Sequence, residues 1–412
     1  MIPSTHLGAY WHLFHANRPF LLFGFLMLFV SSAGQTFFIG VFGPAIRADF
    51  GLSHTEWGAI YLAGTLVSAL ALTWTGSVID RMRLKQFSTL VAIGLIIACI
   101  VMALTPSPIF LAVSIFLLRQ TGQGLSSHTG LTATARHFTE GRGKAIAIVG
   151  LGFAVSQATL PVIVVQSIDT FGWRNTYLIV AAVLAVVLIP AIRLLLKHHS
   201  DDHLRIAGTD APTELIASVT RSQVLRDWRF YLLMPAILAP SFIDTAMFFH
   251  HPATAAAKGW SLTWVTGSYW AYSFGAVAAA ILAGPIIDKI SARRTLPVML
   301  LPLMASMIVL AFGESEIWVL PYLILIGLTG GISSTAVTAL SAELYGARHL
   351  GSIKSMVVAL QVFASALGPV TMGLMMDNGL SIPDIALTMT AYSIVASVIL
   401  IVGLRLYRTS AT

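Results

Sequence analysis

The feature that most limits what this chain can fold into is a succession of about twelve apolar segments, each long enough to cross a bilayer. They lie at roughly 20–42, 56–78, 87–105, 108–134, 145–168, 175–196, 230–252, 262–286, 296–313, 317–340, 352–376 and 384–406. A helix of about 20 residues rises about 30 Å, the thickness of the hydrocarbon core. Of the 412 residues only 10% are charged, against about 25% in a soluble domain. A soluble enzyme, a disordered chain and a disulfide scaffold are therefore excluded. The single cysteine, Cys99, sits inside an apolar run and supports neither an internal disulfide nor a metal-binding spacing. The expected fold is an all-α membrane protein of twelve transmembrane helices, numbered here as spans 1–12.

The net charge of +7 concerns topology, because the basic residues alternate from loop to loop. With a cytoplasmic N-terminus, 20 of the 24 Lys and Arg fall on the cytoplasmic side, including Arg81, Arg83, Lys85, Lys289, Arg293 and Arg294. Only Arg47, Arg174 and Lys258 fall on the other side, and Arg119 lies within span 4. That bias predicts a multi-pass protein of the inner (plasma) membrane with both termini cytoplasmic. It also implies contact with anionic membrane lipids rather than a nucleic-acid partner. The first apolar run is full length and lacks a convincing cleavage site, so no cleavable signal peptide is expected.

The sequence repeats itself at an offset of about 208 residues. Gly51, Ser53, Thr55, Tyr61, Gly76 and Asp80 recur as Gly259, Ser261, Thr263, Tyr269, Gly284 and Asp288. Pro161 and Asp169 recur as Pro369 and Asp377, and Gly124-Leu-Ser-Ser returns one position out of step as Gly331-Ile-Ser-Ser. An even number of spans separates each pair, so two six-helix halves run in the same direction, a transporter architecture with its substrate near the midplane. The expected domains are an N-terminal bundle over 1–196, a polar cytoplasmic linker over 197–228 and a C-terminal bundle over 229–412.

The loop after span 2 reads Gly76-Ser-Val-Ile-Asp80-Arg81-Met-Arg83-Leu-Lys85, and its second copy Gly284-Pro-Ile-Ile-Asp288-Lys289. Span 4 carries Arg119-Gln-Thr-Gly122-Gln123-Gly124, and span 6 opens with Gly172-Trp173-Arg174. Over nearly its whole length the chain resembles the major facilitator superfamily, whose G-x-x-x-D-R and R-x-x-x-G-x-G patterns these residues follow. The resemblance implies two pseudo-symmetric six-helix bundles and a cavity lined by spans 1, 4, 7 and 10. It also implies gating by the loop residues Gly76, Asp80, Arg81, Gly284, Asp288 and Lys289. Arg83 stands where the signature usually has glycine. Span 5 lacks the G-P-x-x-G-G antiporter pattern, which weighs against a drug exporter. A fainter resemblance to monocarboxylate and oxalate/formate porters lacks their intramembrane cations in spans 8 and 11.

Charges inside spans cost roughly 2.5–3.5 kcal/mol at the centre, and two stand well inside, Arg119 and Asp244. At 1.5 Å per residue each lies near the midplane. Arg119, Gln123 and Ser126, at i, i+4 and i+7, are expected on one face of span 4. Span 1 adds Ser31, Ser32 and Gln35, span 7 adds Ser241, and span 8 adds Tyr269 and Tyr272. Arg119 keeps its charge and clamps carboxylates, whereas Asp244 can carry a proton. The expectation is a proton-coupled transporter of a small organic anion, with Arg119, Gln123, Ser126, Gln35, Ser31 and Tyr269 binding substrate. The alternatives are a proton-driven exporter of drugs or metabolites, a receptor on the same scaffold, or a merely structural role for Arg119 and Asp244.

His250 and His251 are expected as an interfacial pair at the outer end of span 7. His128 in span 4 suits either a proton relay or an interhelical hydrogen bond. His198, His199 and His203 read as a solvated cluster rather than a metal site. No Walker motif and no nucleophile constellation occurs, so neither ATP, a cofactor, a metal nor enzymatic chemistry is expected. The protein is expected to be monomeric.

Overall fold

Helices follow directly from the apolar runs, because inside a bilayer every backbone N–H and C=O must be bonded within its own segment. The computed structural model describes residues 6–138, 140–197, 199, 221–345 and 350–409, and no strand occurs among them. Most of the linker, with His198 and His203, lies outside the described residues. Nine described helices are long and apolar enough to span a membrane, or ten when the bent pair Tyr10–Ala16 and Arg18–Gly34 counts as one span. One of the nine, Arg142–Leu195, has 54 residues. Straight, it would reach about 81 Å. It is two spans joined at Gly172, whose φ of 79° and ψ of 160° suit only glycine. With span 4, interrupted as described below, the count is twelve.

Ahead of span 1 lies a further helix, His6–Ala16, bent by 99° from the span that follows. Trp11 on it is 68% exposed, and Lys144 lies 5.9 Å from the ring centre of Tyr10. Its single apolar run is too short to stand out beside the spans, so the sequence pattern gives no sign of it.

The described residues group into two compact units. One holds the chain to Gly51 and from Ala63 through the first half; the other holds the second half together with Leu52–Leu62. In the first unit Phe23, Met27, Leu95, Ile115 and Tyr177 are fully buried. Small residues set how closely its helices approach: a Cβ on Gly152 would lie 2.1 Å from the Phe25 carbonyl oxygen. In the second unit Ile243, Leu303, Tyr322 and Leu400 are buried, and a Cβ on Gly327 would lie 2.1 Å from the Tyr272 oxygen. Leu52–Leu62 join this unit through named contacts. The Asp377 carboxylate accepts the backbone N–H of His54 at 3.1 Å and of Thr55 at 2.7 Å. Trp57 stacks on Phe249 with ring centres 5.4 Å apart.

Candidate functional site

In the first unit the chemistry-bearing stretches are the irregular ones. Span 1 runs as Arg18–Val30, tightens to a 3-10 turn over Ser31–Gly34, extends at Gln35 and resumes as helix at Thr36–Ile39. Span 4 runs as Pro108–Leu118, widens to a π-helix over Arg119–Ser126 and resumes as Ser127–His137. The two breaks meet backbone to backbone at glycines. A Cβ on Gly34 would sit 2.1 Å from the Leu118 oxygen and 2.6 Å from the Gln123 nitrogen. The Arg119 guanidinium, 2% exposed, donates through Nη1 to the Gly34 carbonyl oxygen at 3.0 Å. A carbonyl at a helix break thus becomes the partner of the buried cation.

The π-helix changes the expected face of span 4. Its bonds run to the fifth residue back and its turn is wider, so i, i+4 and i+7 no longer align. Ser126, buried, donates through Oγ to the Thr121 oxygen five residues earlier at 2.7 Å. Gln123 is half-buried, as is Gln35. Ser31, fully buried, donates to Leu28 O at 2.6 Å within its own helix. Ser32 bonds Ser156 of span 5 through the two hydroxyls. Gln120, which the sequence did not single out, accepts from Ser68 Oγ at 3.0 Å and donates to Thr75 Oγ1 at 2.7 Å. His128 is an interhelical partner, its Nε2 3.1 Å from Gly76 O.

The second unit keeps its inner helices continuous, Trp228–Lys258 for span 7 and Val319–Tyr345 for the core of span 10. His250 and His251 are not an interfacial pair. They are 2% and 1% exposed, because span 7 continues to Lys258, past its expected end at 252. His250 Nε2 donates to Pro369 O at 2.8 Å. His251 bridges two tyrosines, with Nδ1 2.8 Å from Tyr269 Oη and Nε2 2.8 Å from Tyr322 Oη. A neutral imidazole has one donor and one acceptor. One tyrosine therefore donates to it while the other accepts, and moving the ring proton reverses both roles. Two turns earlier, Asp244 has its Oδ1 buried without a hydrogen-bond partner. Tyr322 carries no signal in the sequence repeat, which is why only the packing reveals it.

The two loop copies differ in what holds them. In the first unit Gly76–Asp80 winds as a 3-10 helix and exposed Asp80 pairs with Arg136 at the end of span 4. Arg81 beside it is exposed. In the second, helix Tyr269–Ile290 runs through Gly284 and Lys289, and Ser291 follows at φ 75°. There the Glu343 carboxylate accepts Ala292 N at 2.7 Å and Arg293 N at 3.3 Å. Asp288 lies within that helix. In the shifted register of spans 4 and 10, Glu343 corresponds to Arg136, a match the sequence contains but its motifs do not advertise.

Helices of membrane-spanning length with polar groups buried among them make this a polytopic membrane protein. The family model described as Major Facilitator Superfamily matches residues 24–369, and the chain belongs to that superfamily. It is thus a secondary transporter working by alternating access, not an enzyme. Among solved structures it is similar to a bacterial homolog of the human lysosomal transporter Spinster, at TM-score 0.70 and 14% identity, over 95% of this chain and 97% of that one. It is also similar to the nucleoside transporter NupG, at TM-score 0.73 and 10% identity, over 93% of this chain and 98% of that one. No curated protein matches it in sequence.

Proposed function

We propose that the protein moves a small organic anion of the monocarboxylate kind together with protons, across the inner (plasma) membrane, with both termini cytoplasmic. Residues 1–196 and 229–412 form its two halves and 197–228 their linker. Arg119 is the anion-holding cation of the first half, supported by Gln123, Gln35 and Ser31. Asp244 is the proton carrier of the second, next to the Tyr269–His251–Tyr322 chain. The loop residues Gly76, Asp80, Arg81, Gly284, Asp288 and Lys289 act as gates.

The observation that carries this reading is the Asp244 Oδ1 atom, buried with no donor. A carboxylate left so is expensive when charged, and protonation is the relief the protein itself can supply. Arg119 complements it, since a guanidinium is always charged and its planar fork matches a carboxylate.

The test is uptake into proteoliposomes under an imposed pH gradient, acid outside, with radiolabelled monocarboxylates. Uphill accumulation is expected. Asp244→Asn should abolish the pH drive while leaving counterflow exchange, and Arg119→Lys should raise KM roughly tenfold or more by losing the fork geometry. Carboxylates that do not accumulate, or an Arg119→Lys variant identical to wild type, overturn the proposal.

A second reading, proton-driven export of lipophilic drugs or metabolites, draws on an apolar crevice of about 270 Å³ in the first unit, lined by Phe29, Phe38, Leu160 and Val183 among others. Transport of lipophilic cations but not carboxylates in the same vesicles would establish it.

A further inference from the structure

Two cavities whose linings include neither Arg119 nor Asp244 occupy equivalent places in the two repeats. The first, about 730 Å³, lies in the first unit and is lined by Met82, Arg83, Lys85, Gln86, Thr89, Leu90, Arg193, Leu196, Lys197 and His199. The second, about 880 Å³, lies in the second unit. Residues 82, 83, 85, 86, 89, 193, 196 and 197 of the first each have a counterpart 208 positions on in the lining of the second. The repeat has therefore built the same hollow twice, between the loop after its second span and the end of its sixth.

The contents differ. The second cavity is lined by Lys289, Arg293, Arg294 and Arg405 and holds its own anion, Glu343, bonded to the backbone of Ala292 and Arg293. The first is lined by Arg83, Lys85, Arg193 and Lys197, and no carboxylate stands among its described lining residues. Where Glu343 would recur, the first half has Arg136, which turns to Asp80 instead. Four cations converge on a hollow whose counterpart has an internal carboxylate.

We infer that the first cavity binds the phosphate of an anionic phospholipid headgroup through Arg83, Lys85, Arg193 and Lys197. Phosphate suits this frame because two arginines offer planar forks and two lysines offer point charges to its oxygens. A lipid, rather than a soluble phosphate, is favoured by Leu90 and Met82 in the same wall. Leu90 is 55% exposed, an apolar edge beside the cations along which an acyl chain can lie. The volume falls within the usual range for a small-ligand pocket. The headgroup would fix the loop that carries Asp80 and Arg81, since Met82, Arg83 and Lys85 form one wall of the hollow.

The experiment is thermal unfolding of the purified full-length protein in detergent, titrated separately with phosphatidylglycerol, phosphatidylcholine and inorganic phosphate. Phosphatidylglycerol should stabilise in a saturable way and phosphatidylcholine should not. Arg83→Ser/Arg193→Ile, which installs the residues found at the counterpart positions, should weaken the apparent affinity about 25-fold, roughly fivefold per cation. Gln86→Glu, a mild surface change that adds a carboxylate to the cavity, should weaken it in the same direction. Arg293→Ala/Arg405→Ala, in the second cavity, should leave the phosphatidylglycerol shift as in wild type.

An equal loss in that last variant, or equal shifts with both lipids, means general surface attraction and overturns the site. A full shift with inorganic phosphate alone overturns the lipid in favour of a soluble phosphate. A shift that emerges only in Asp201→Asn/Asp202→Asn means that the linker's own carboxylates fill the hollow, and the inference fails.

Discussion

The buried Arg119 of the first unit and the buried His251 of the second find their partners in opposite ways. In the first, spans 1 and 4 give up regular helix at the same place, and a carbonyl from one break receives the guanidinium beside the other. In the second, the corresponding spans 7 and 10 stay continuous, and His251 is satisfied by the side chains of Tyr269 and Tyr322. The first arrangement depends on backbone geometry and the second on side-chain chemistry. The two should therefore fail under different substitutions.

The largest effect is expected where backbones touch. Gly34→Ala places a methyl 2.1 Å from the Leu118 oxygen, and no rotamer can relieve a clash with backbone. We expect a loss of about 3 kcal/mol, seen as poor folded yield and a lowered Tm; a variant as stable as wild type would mean that the two breaks do not depend on each other. In the second unit, His251→Leu leaves two buried tyrosine hydroxyls without their partner and should cost roughly 1–3 kcal/mol. The triple variant His251→Leu/Tyr269→Phe/Tyr322→Phe removes every polar member and should recover most of that loss. A triple variant no better than the single one would show that the histidine acts by shape.

Smaller effects separate the loops. Ser291→Gly should raise stability by about 1 kcal/mol, because a non-glycine residue at φ 75° and ψ 154° is strained; an unchanged Tm would show that Ser291 has another conformation in solution. Arg136→Ala should lower stability by no more than about 1 kcal/mol, since the Asp80 pair is exposed. Glu343→Ala should cost more than Arg136→Ala, because it frees two backbone amides as well as a charge. Thermal unfolding of the two variants side by side checks the order, and the reverse order would mean that the loops are not held as their hydrogen bonds imply.

Much of this could be read from residue order. The apolar runs required helices, the repeat required two like halves, and the loop and span 4 motifs resembled the superfamily to which the chain belongs. Arg119 and Asp244 stood out because charge inside a span needs a reason. The sequence was silent or misleading wherever an outcome depended on local departures from the ideal helix. Periodicity assumes 3.6 residues per turn, so it could not anticipate the π-helix that takes Ser126 off the Arg119 face. It also ended span 7 too early, and so set His250 and His251 at an interface when they are interior.

The sequence by itself determined the class, the number of spans and the identity of the costly residues, because those follow from hydrophobic length and charge, which add up along a chain. Tertiary structure alone decided which partner each polar group took. Gly34 meets Arg119, Tyr322 meets His251 and Glu343 meets the backbone of Ala292 because helices far apart in sequence pack at distances set by small residues, and a hydrogen bond exists only where that packing brings donor and acceptor within about 3 Å.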